Sequence, residues 1–168
     1  MMRDIEIIQS LKSKLNAPSG RHLYGVLGTY QKLKEFSERL VEANFEKPIS
    51  VNIGILESIP DEDFRNLAEN ESKMPEPTAN HVKQAFEKYI RSHLSSNGLV
   101  TLSDLELLFP YQIDFNLLRT LAADDFKVLL LLRGERHGDR IIMFPGLTEH
   151  QYEIPVTLIS ENHLWELK

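Results

Sequence analysis

Gly28 and Lys34 raise the first chemical question, because a glycine after an apolar run and a lysine early in a helix are typical of a phosphate-binding loop. In such a loop, backbone N–H groups hold the phosphates, the lysine reaches them and a following hydroxyl holds magnesium. The segment GTYQKLKE, residues 28–35, keeps the first glycine and the lysine, but Leu33 replaces the second glycine and Glu35 replaces the hydroxyl residue. Because a carboxylate at Glu35 would repel phosphate, the sequence predicts a loop in the right position whose residues do not suit phosphate and magnesium.

Four residues remain candidates for a nucleotide site: Gly28, Lys32, Lys34 and Asp104. Asp104 follows the apolar run LVTLS, where nucleotide hydrolases place an acidic residue that positions magnesium. In the structural alternative, Gly28 ends a strand, the lysines form a solvated helix face, and Ser103 caps a helix whose N-terminal residues include Asp104 and Glu106. We favour this alternative, because a lone acidic residue after an apolar run is a weak signal.

Other residue patterns predict no catalytic centre. The six histidines show neither H-x-H nor H-x-x-x-H spacing, and no G-x-S-x-G segment or cysteine occurs, so we expect no metal site and no nucleophile elbow. A basic cluster surrounds the tight turn HGD and contains Arg133, Arg136, His137 and Arg140. It could contact an anionic partner, but a solvated hairpin tip is the favoured interpretation, because acidic residues lie within it.

Composition narrows the classes of partner. The chain has 168 residues and a formal net charge of -6, so direct binding of nucleic acid is disfavoured. Its longest apolar run, VLLLL, is far shorter than the roughly 20 residues of a membrane span. We therefore expect a cytoplasmic protein with no membrane contact.

Hydrophobic periodicity predicts the elements of the first half. An amphipathic helix within residues 1–20 has Ile5, Ile8, Leu11 and Leu15 on one face. A strand over residues 22–27 precedes a helix that starts at Thr29, with Leu33, Phe36, Leu40 and Val41 as its apolar positions. Alternating apolar residues at positions 49, 51, 53 and 55 predict a second strand.

The second half begins with a polar surface loop over residues 58–80, with one short helix at 61–69. A helix capped by Thr78 or Asn80 follows, then a strand at 99–102 and a short helix through NLLRTLA. The run FKVLLLLRG predicts a central parallel strand buried on both faces, and RIIMFPG its antiparallel partner. The end of the chain predicts a last strand and a short amphipathic segment, where Trp165 docks on its own domain or anchors a partner, the former being favoured.

Together these elements predict one α/β domain over residues 1–168. Its three layers consist of a mainly parallel sheet with flanking helices, similar to a P-loop NTPase, with an antiparallel hairpin near the C-terminus. The order of the segments YGVLG, ISVNIGI, LELLFPYQIDFNLLRTLA, KVLLLLRG and MFPG resembles the small accessory proteins of BREX phage-defence systems, of the BrxB and BrxF type. The resemblance covers most of the chain from Arg21 onward.

That resemblance implies a role in a bacterial defence complex beside a methyltransferase, a large ATPase and a phosphatase-like protein. Some such proteins carry an intact phosphate loop, from which this chain departs at Leu33 and Glu35. The first hypothesis is therefore a non-enzymatic scaffold or adaptor, without a cofactor, that contacts other proteins of the system and is a possible homo-oligomer. The alternative is a weak nucleotide-binding regulatory domain that holds ATP or another nucleotide through Gly28, Lys32, Lys34 and Asp104.

Overall fold

Five strands form an open parallel sheet in the computed structural model, which describes residues 2–17, 19–58, 75–147 and 151–167. Across the sheet the order is β2 (Ile49–Ser50), β3 (Leu99–Ser103), β4 (Lys127–His137), β1 (Leu23–Gly28) and β7 (Leu164–Glu166). All four neighbouring pairs are parallel. The predicted α/β class with a mainly parallel sheet is confirmed.

The two central strands, β1 and β4, pair over the whole length of β1, from Leu23 opposite Val128 to Gly28 opposite Arg133. Residues 128–132 of β4 are all buried, as the continuous apolar run predicts for a strand covered on both faces. Strand β4 is therefore the axis of the core.

An antiparallel extension grows from the same strand. Beyond Arg133, β4 pairs with β5 (Arg140–Met143), and β5 pairs with β6 (Tyr152–Pro155). The predicted hairpin at the HGD turn is confirmed. Gly134 lies where β4 leaves its parallel partner and faces Met143 of β5.

Helices cover both faces of the sheet. On one face, α1 (Asp4–Leu15) and α2 (Tyr30–Glu42) pack on alternate residues of β1 and β4, such as Val26 and Leu131. On the other face, α3 (Val51–Ser58), α4 (Pro75–Asn97) and α5 (Asn116–Leu121) pack on the remaining residues of these strands. Short 3-10 turns occupy Glu106–Leu108, Val156–Leu158 and Glu161–His163. In the described parts of the chain, every helix is too short or too polar to cross a bilayer.

The predicted second strand is wrong beyond its first residues. Strand β2 ends at Ser50, and helix α3 begins at Val51. The hydroxyl of Ser50 accepts a hydrogen bond from the backbone N–H of Ile53 at 3.4 Å, as a helix cap does. Val51 and Ile55 are buried against the other helices, so packing of an i, i+4 pair outweighs the strand preference of β-branched residues.

Other boundaries also differ from the predictions. Helix α3 runs to Ser58 and α4 already begins at Pro75, so both ends of the predicted loop over 58–80 are helical. The predicted helix at 61–69 lies outside the described residues. In α1 the buried apolar residues include Ile7, whereas Ile5 is 59% exposed.

Trp165 docks on its own domain, as favoured from the sequence. It lies in β7 opposite Val26 of β1, is buried, and its ring stacks on Tyr24 at 6.2 Å between centroids. The last segment of the chain is therefore an edge strand of the sheet instead of an amphipathic segment.

Gly134 is the residue at which β4 leaves the parallel sheet and enters the hairpin. We expect Gly134→Ala to destabilise the fold. A Cβ there would lie 2.8 Å from the backbone oxygen of Ile142, an atom that cannot swing away. Overpacking of this kind costs about 1–3 kcal/mol. Urea unfolding measures the loss. Gly138→Asn is the control, since nothing lies within 4 Å of a Cβ at that turn and asparagine tolerates its φ of +65°. Equal stability of Gly134→Ala and the wild type would contradict the assignment.

Candidate functional site

The strand order places a crevice at the carboxyl edge of the sheet. From β1 the chain crosses to the far edge at β2 and returns through β3 to β4, so the direction of winding reverses between β1 and β4. In open α/β sheets, ligands bind outside the carboxyl ends of the strands at such a reversal. Here we define the carboxyl-edge crevice, of about 430 Å³, by Gly28, Thr29, Lys32, Arg136, His137 and Leu147.

The connection between β1 and α2 consists of Thr29 alone. Its hydroxyl accepts a hydrogen bond from the backbone N–H of Lys32 at 3.3 Å, which caps the helix. A phosphate loop needs several backbone N–H groups curled around the anion. Leu33, which stands at the position of the loop's second glycine, is instead buried in the first turn of α2.

The C-terminal strand fills the space beside this connection. The backbone N–H of Leu167 donates to the carbonyl of Leu27 at 2.9 Å. A Cβ added to Gly28 would lie 3.1 Å from Cδ1 of Leu167 and 3.5 Å from Cγ of Leu33. Two leucine side chains therefore pack against Gly28, and the glycine serves close packing there.

A ridge formed by Tyr30 and Arg133 bounds the crevice on one side. The guanidinium carbon of Arg133 lies 5.1 Å from the centroid of the Tyr30 ring, a cation–π distance. Arg133 also approaches Glu106 at 3.7 Å, and the other oxygen of that carboxylate accepts a hydrogen bond from the side-chain amide of Asn52 at 2.9 Å. These contacts tie the end of β4 to α2 and α3.

A second recess lies across this ridge. We define the α2 groove, of about 700 Å³, by Leu33, Lys34, Ser37, Glu38 and Val41 of helix α2 and by Lys47, Pro48, Asp104 and Leu131 opposite them. The structure thus brings the four predicted site residues together in two pairs. Gly28 and Lys32 line the crevice, whereas Lys34 and Asp104 line the groove.

The predicted helix cap at Ser103 is wrong. Ser103 donates its hydroxyl hydrogen to the carbonyl of Ile49 across the sheet at 3.3 Å, and the following 3-10 turn is capped instead by Asn52, whose side-chain oxygen accepts the N–H of Leu107 at 3.0 Å. Asp104 has a φ of +53°, which turns the chain at the end of β3, and its carbonyl accepts the N–H of Asn52 at 3.1 Å. The side chain of Asp104 is exposed.

The basic cluster divides between the crevice and the hairpin. Arg136 and His137 line the crevice together with Glu135, which lies 3.3 Å from the His137 ring nitrogen. Arg140 points elsewhere and pairs with Glu153 of β6. That hydrogen bond holds the pKa of the Glu153 carboxyl below its usual value. Beside the cationic wall of the crevice, Leu147 is 62% exposed.

A polar cluster at the opposite, amino edge of the sheet involves His22, Tyr24 and His163. His22 is buried, and its Nδ1 lies 2.6 Å from the Tyr24 hydroxyl, which donates to the carbonyl of Lys14 at 3.4 Å. The tautomer of the His22 ring decides which of the two groups donates, and Nε2 is the ring nitrogen outside this hydrogen bond. Within the described part of the chain this Nε2 has no partner. The ring of His163 packs on Tyr24 at 4.6 Å.

Sequence reasoning missed the residues that shape the two recesses. Tyr30, Leu147 and Leu167 carry no motif, and the crevice exists because strands far apart in the chain meet at one edge. The predicted apolar positions of α2 include Val41, which is 47% exposed. Its spacing from Leu33 and Phe36 fits the core stripe only at the edge of that stripe.

We expect stability to fall below pH 6.5 because of His163. Burial, followed by the positive charge of Lys14, lowers the pKa of His163 from 6.5. A backbone hydrogen bond with Leu23 opposes the shift, and His22 adds to it. The unfolded chain then binds the proton more readily, so the free energy of unfolding declines as pH falls from 6.5 through the folded pKa.

The measurement is urea unfolding between pH 7.5 and pH 5. His163→Gln is expected to flatten the decline, whereas His137→Gln, at an exposed hairpin position, should retain it. An identical pH profile for His163→Gln and the wild type would refute this origin of the pH dependence.

In residues 2–17, 19–58, 75–147 and 151–167, no group of three or more histidine and carboxylate side chains is placed to hold a metal ion. The crevice is lined by cationic side chains, by the start of helix α2 and by an exposed leucine. No protein-family model matches the chain, and comparisons with curated proteins and with solved structures give no match.

Proposed function

We propose that this protein is a non-enzymatic cytoplasmic adaptor that holds other proteins of a bacterial phage-defence system through its carboxyl-edge crevice. The observation that carries the proposal is the combination, in one open crevice, of the exposed Leu147 with the cationic side chains of Lys32 and Arg136. Interfaces are centred on apolar anchors with a polar rim, and this arrangement supplies both.

The short connection between β1 and α2, and the packing around it, favour an adaptor over a nucleotide hydrolase. Thr29 alone joins strand and helix, and leucine side chains pack against Gly28. Leucine side chains at this position disfavour a phosphate cradle, whose backbone N–H groups must curl around the anion. The resemblance to BREX accessory proteins names the partners to test: the methyltransferase, the large ATPase and the phosphatase-like protein of such a system.

The test is binding of each purified partner to the full chain by calorimetry. We expect at least one to bind and Leu147→Asp to weaken that binding by about tenfold or more, because a charge would replace the apolar anchor. Phe126→Asp is the matched control, since Phe126 is 43% exposed but lies at the amino end of β4. Failure of all three partners to bind, or equal binding by Leu147→Asp and the wild type, would overturn the proposal.

A second candidate function is weak nucleotide binding in the same crevice. One observation favours it: Gly28, Lys32 and the start of α2 all face the crevice at the reversal of winding. In this candidate Lys32, instead of Lys34, contacts the phosphates, because Lys34 lies across the Tyr30 ridge.

Thermal unfolding with ATP, ADP or GTP and magnesium tests this candidate. Saturable stabilisation by a nucleotide is expected if the site binds it. Lys32→Ala should abolish the stabilisation and Lys34→Ala should preserve it. Absence of any shift, or equal effects of the two substitutions, would eliminate nucleotide binding at the crevice.

A further inference from the structure

We propose that the α2 groove is the interface of a two-fold symmetric dimer in which helix α2 packs antiparallel against α2 of a second copy. This inference is independent of the carboxyl-edge crevice. It begins with the side chains that α2 presents away from the sheet. Tyr30 is 58% exposed and Val41 is 47% exposed, and both line the groove.

These two residues belong to one continuous stripe of the helix. Tyr30, Lys34, Ser37, Glu38 and Val41 follow helical spacing, so they lie on the same side of α2. The stripe carries an apolar side chain at each end and charges between them. Large apolar side chains exposed on one stripe are typical of a surface that another molecule covers.

The charge pattern of the stripe identifies a second copy as the occupant. In a two-fold symmetric contact, the same surface meets itself in the opposite direction. With the axis at the level of Phe36, Lys34 of each copy lies opposite Glu38 of the other, because the two residues are equally distant from that level. Tyr30 of each copy then lies near Val41 of the other. The stripe is therefore complementary to itself in charge and in apolar contact.

The side chains of the stripe are available for these contacts. Neither Lys34 nor Glu38 forms an ion pair within the described residues. Ser37, at the centre, donates its hydroxyl hydrogen to the carbonyl of Leu33 at 2.8 Å. A small side chain with its hydrogen bond satisfied allows two helices to approach closely, at the 8–10 Å typical of packed helices.

The opposite wall of the groove fits the same arrangement. Lys47 and Asp104 stand there with opposite charges and flank the partner helix. Leu131, which also lines the groove, is apolar and buried. A partner helix that carries both charge signs suits these walls better than a uniformly acidic or basic segment would.

Sedimentation equilibrium of the full chain over micromolar concentrations tests the proposal. We expect a monomer–dimer equilibrium for the wild type. Lys34→Glu and Glu38→Lys should each raise the dissociation constant by about tenfold or more, because each places like charges opposite each other at two symmetric contacts. Lys32→Glu is the matched control, with the same charge change on the same helix but outside the groove, and it should dimerise like the wild type.

The decisive experiment mixes the two single variants. Lys34→Glu supplies two acidic side chains and Glu38→Lys two basic ones, so the mixture should form a heterodimer at concentrations where each variant alone is mainly monomeric. This recovery also shows that both variants fold. The doubly substituted chain, with both residues exchanged, should dimerise like the wild type.

A monomeric wild type would overturn the proposal and leave the groove to a different protein. Dimers of unchanged affinity in Lys34→Glu, or a mixture that stays monomeric, would overturn the antiparallel α2 contact. Loss of partner binding in Leu147→Asp without any change in dimerisation would show that the crevice and the groove act separately, as the inference requires.

Discussion

The parallel pairing of β1 with β4 is the contact on which the rest of the molecule depends. It joins segments that lie far apart in the chain, from Leu23 opposite Val128 to Gly28 opposite Arg133. Both strands are buried on both faces, so their apolar side chains provide the surface that α1 and α2 cover on one side and α3, α4 and α5 on the other. Burial at about 25 cal/mol per Å² of apolar surface makes this two-sided core the main source of stability.

The same pairing produces both recesses at the carboxyl edge. Helix α2 starts one residue after β1, so its first turn stands directly over the end of β4. Tyr30 meets Arg133 there, and their contact separates the crevice from the groove. A longer connection would have space for a phosphate cradle, but it would also move Tyr30 and remove the boundary. With the short connection, this edge of the sheet has no phosphate cradle and instead has two adjacent recesses, the carboxyl-edge crevice and the α2 groove.

Much of this fold could be predicted from local pattern, but its site could not. The sequence predicts three features correctly: the buried strand β4, the start of α2 at Thr29 and the HGD hairpin. Burial on two faces, helical period and turn residues each produce a local sequence pattern. The strand predicted over residues 49–55 is largely a helix. Alternating apolar residues also fit an i, i+4 helix pattern, and the packing of Val51 and Ile55 decides between strand and helix. Lys32 and Lys34 fall on opposite sides of the Tyr30 ridge because residues two apart on a helix point in different directions, whereas the recess that each one faces depends on how α2 lies on the sheet.

The separation of β1 and β4 along the chain also bears on how the protein is made. Synthesis delivers β1 and α2 long before residues 127–133 exist, and domains assemble only as their segments become available. Until then Val26, Phe36 and Leu40 lack the buried residues of β4 and β7 that share their cluster. Folding dominated by such distant contacts is slow, since the chain must lose the entropy of closing a long loop before the contacts can stabilise it. A nascent chain that still lacks β4 therefore exposes apolar surface of β1 and α2 to which chaperones can bind.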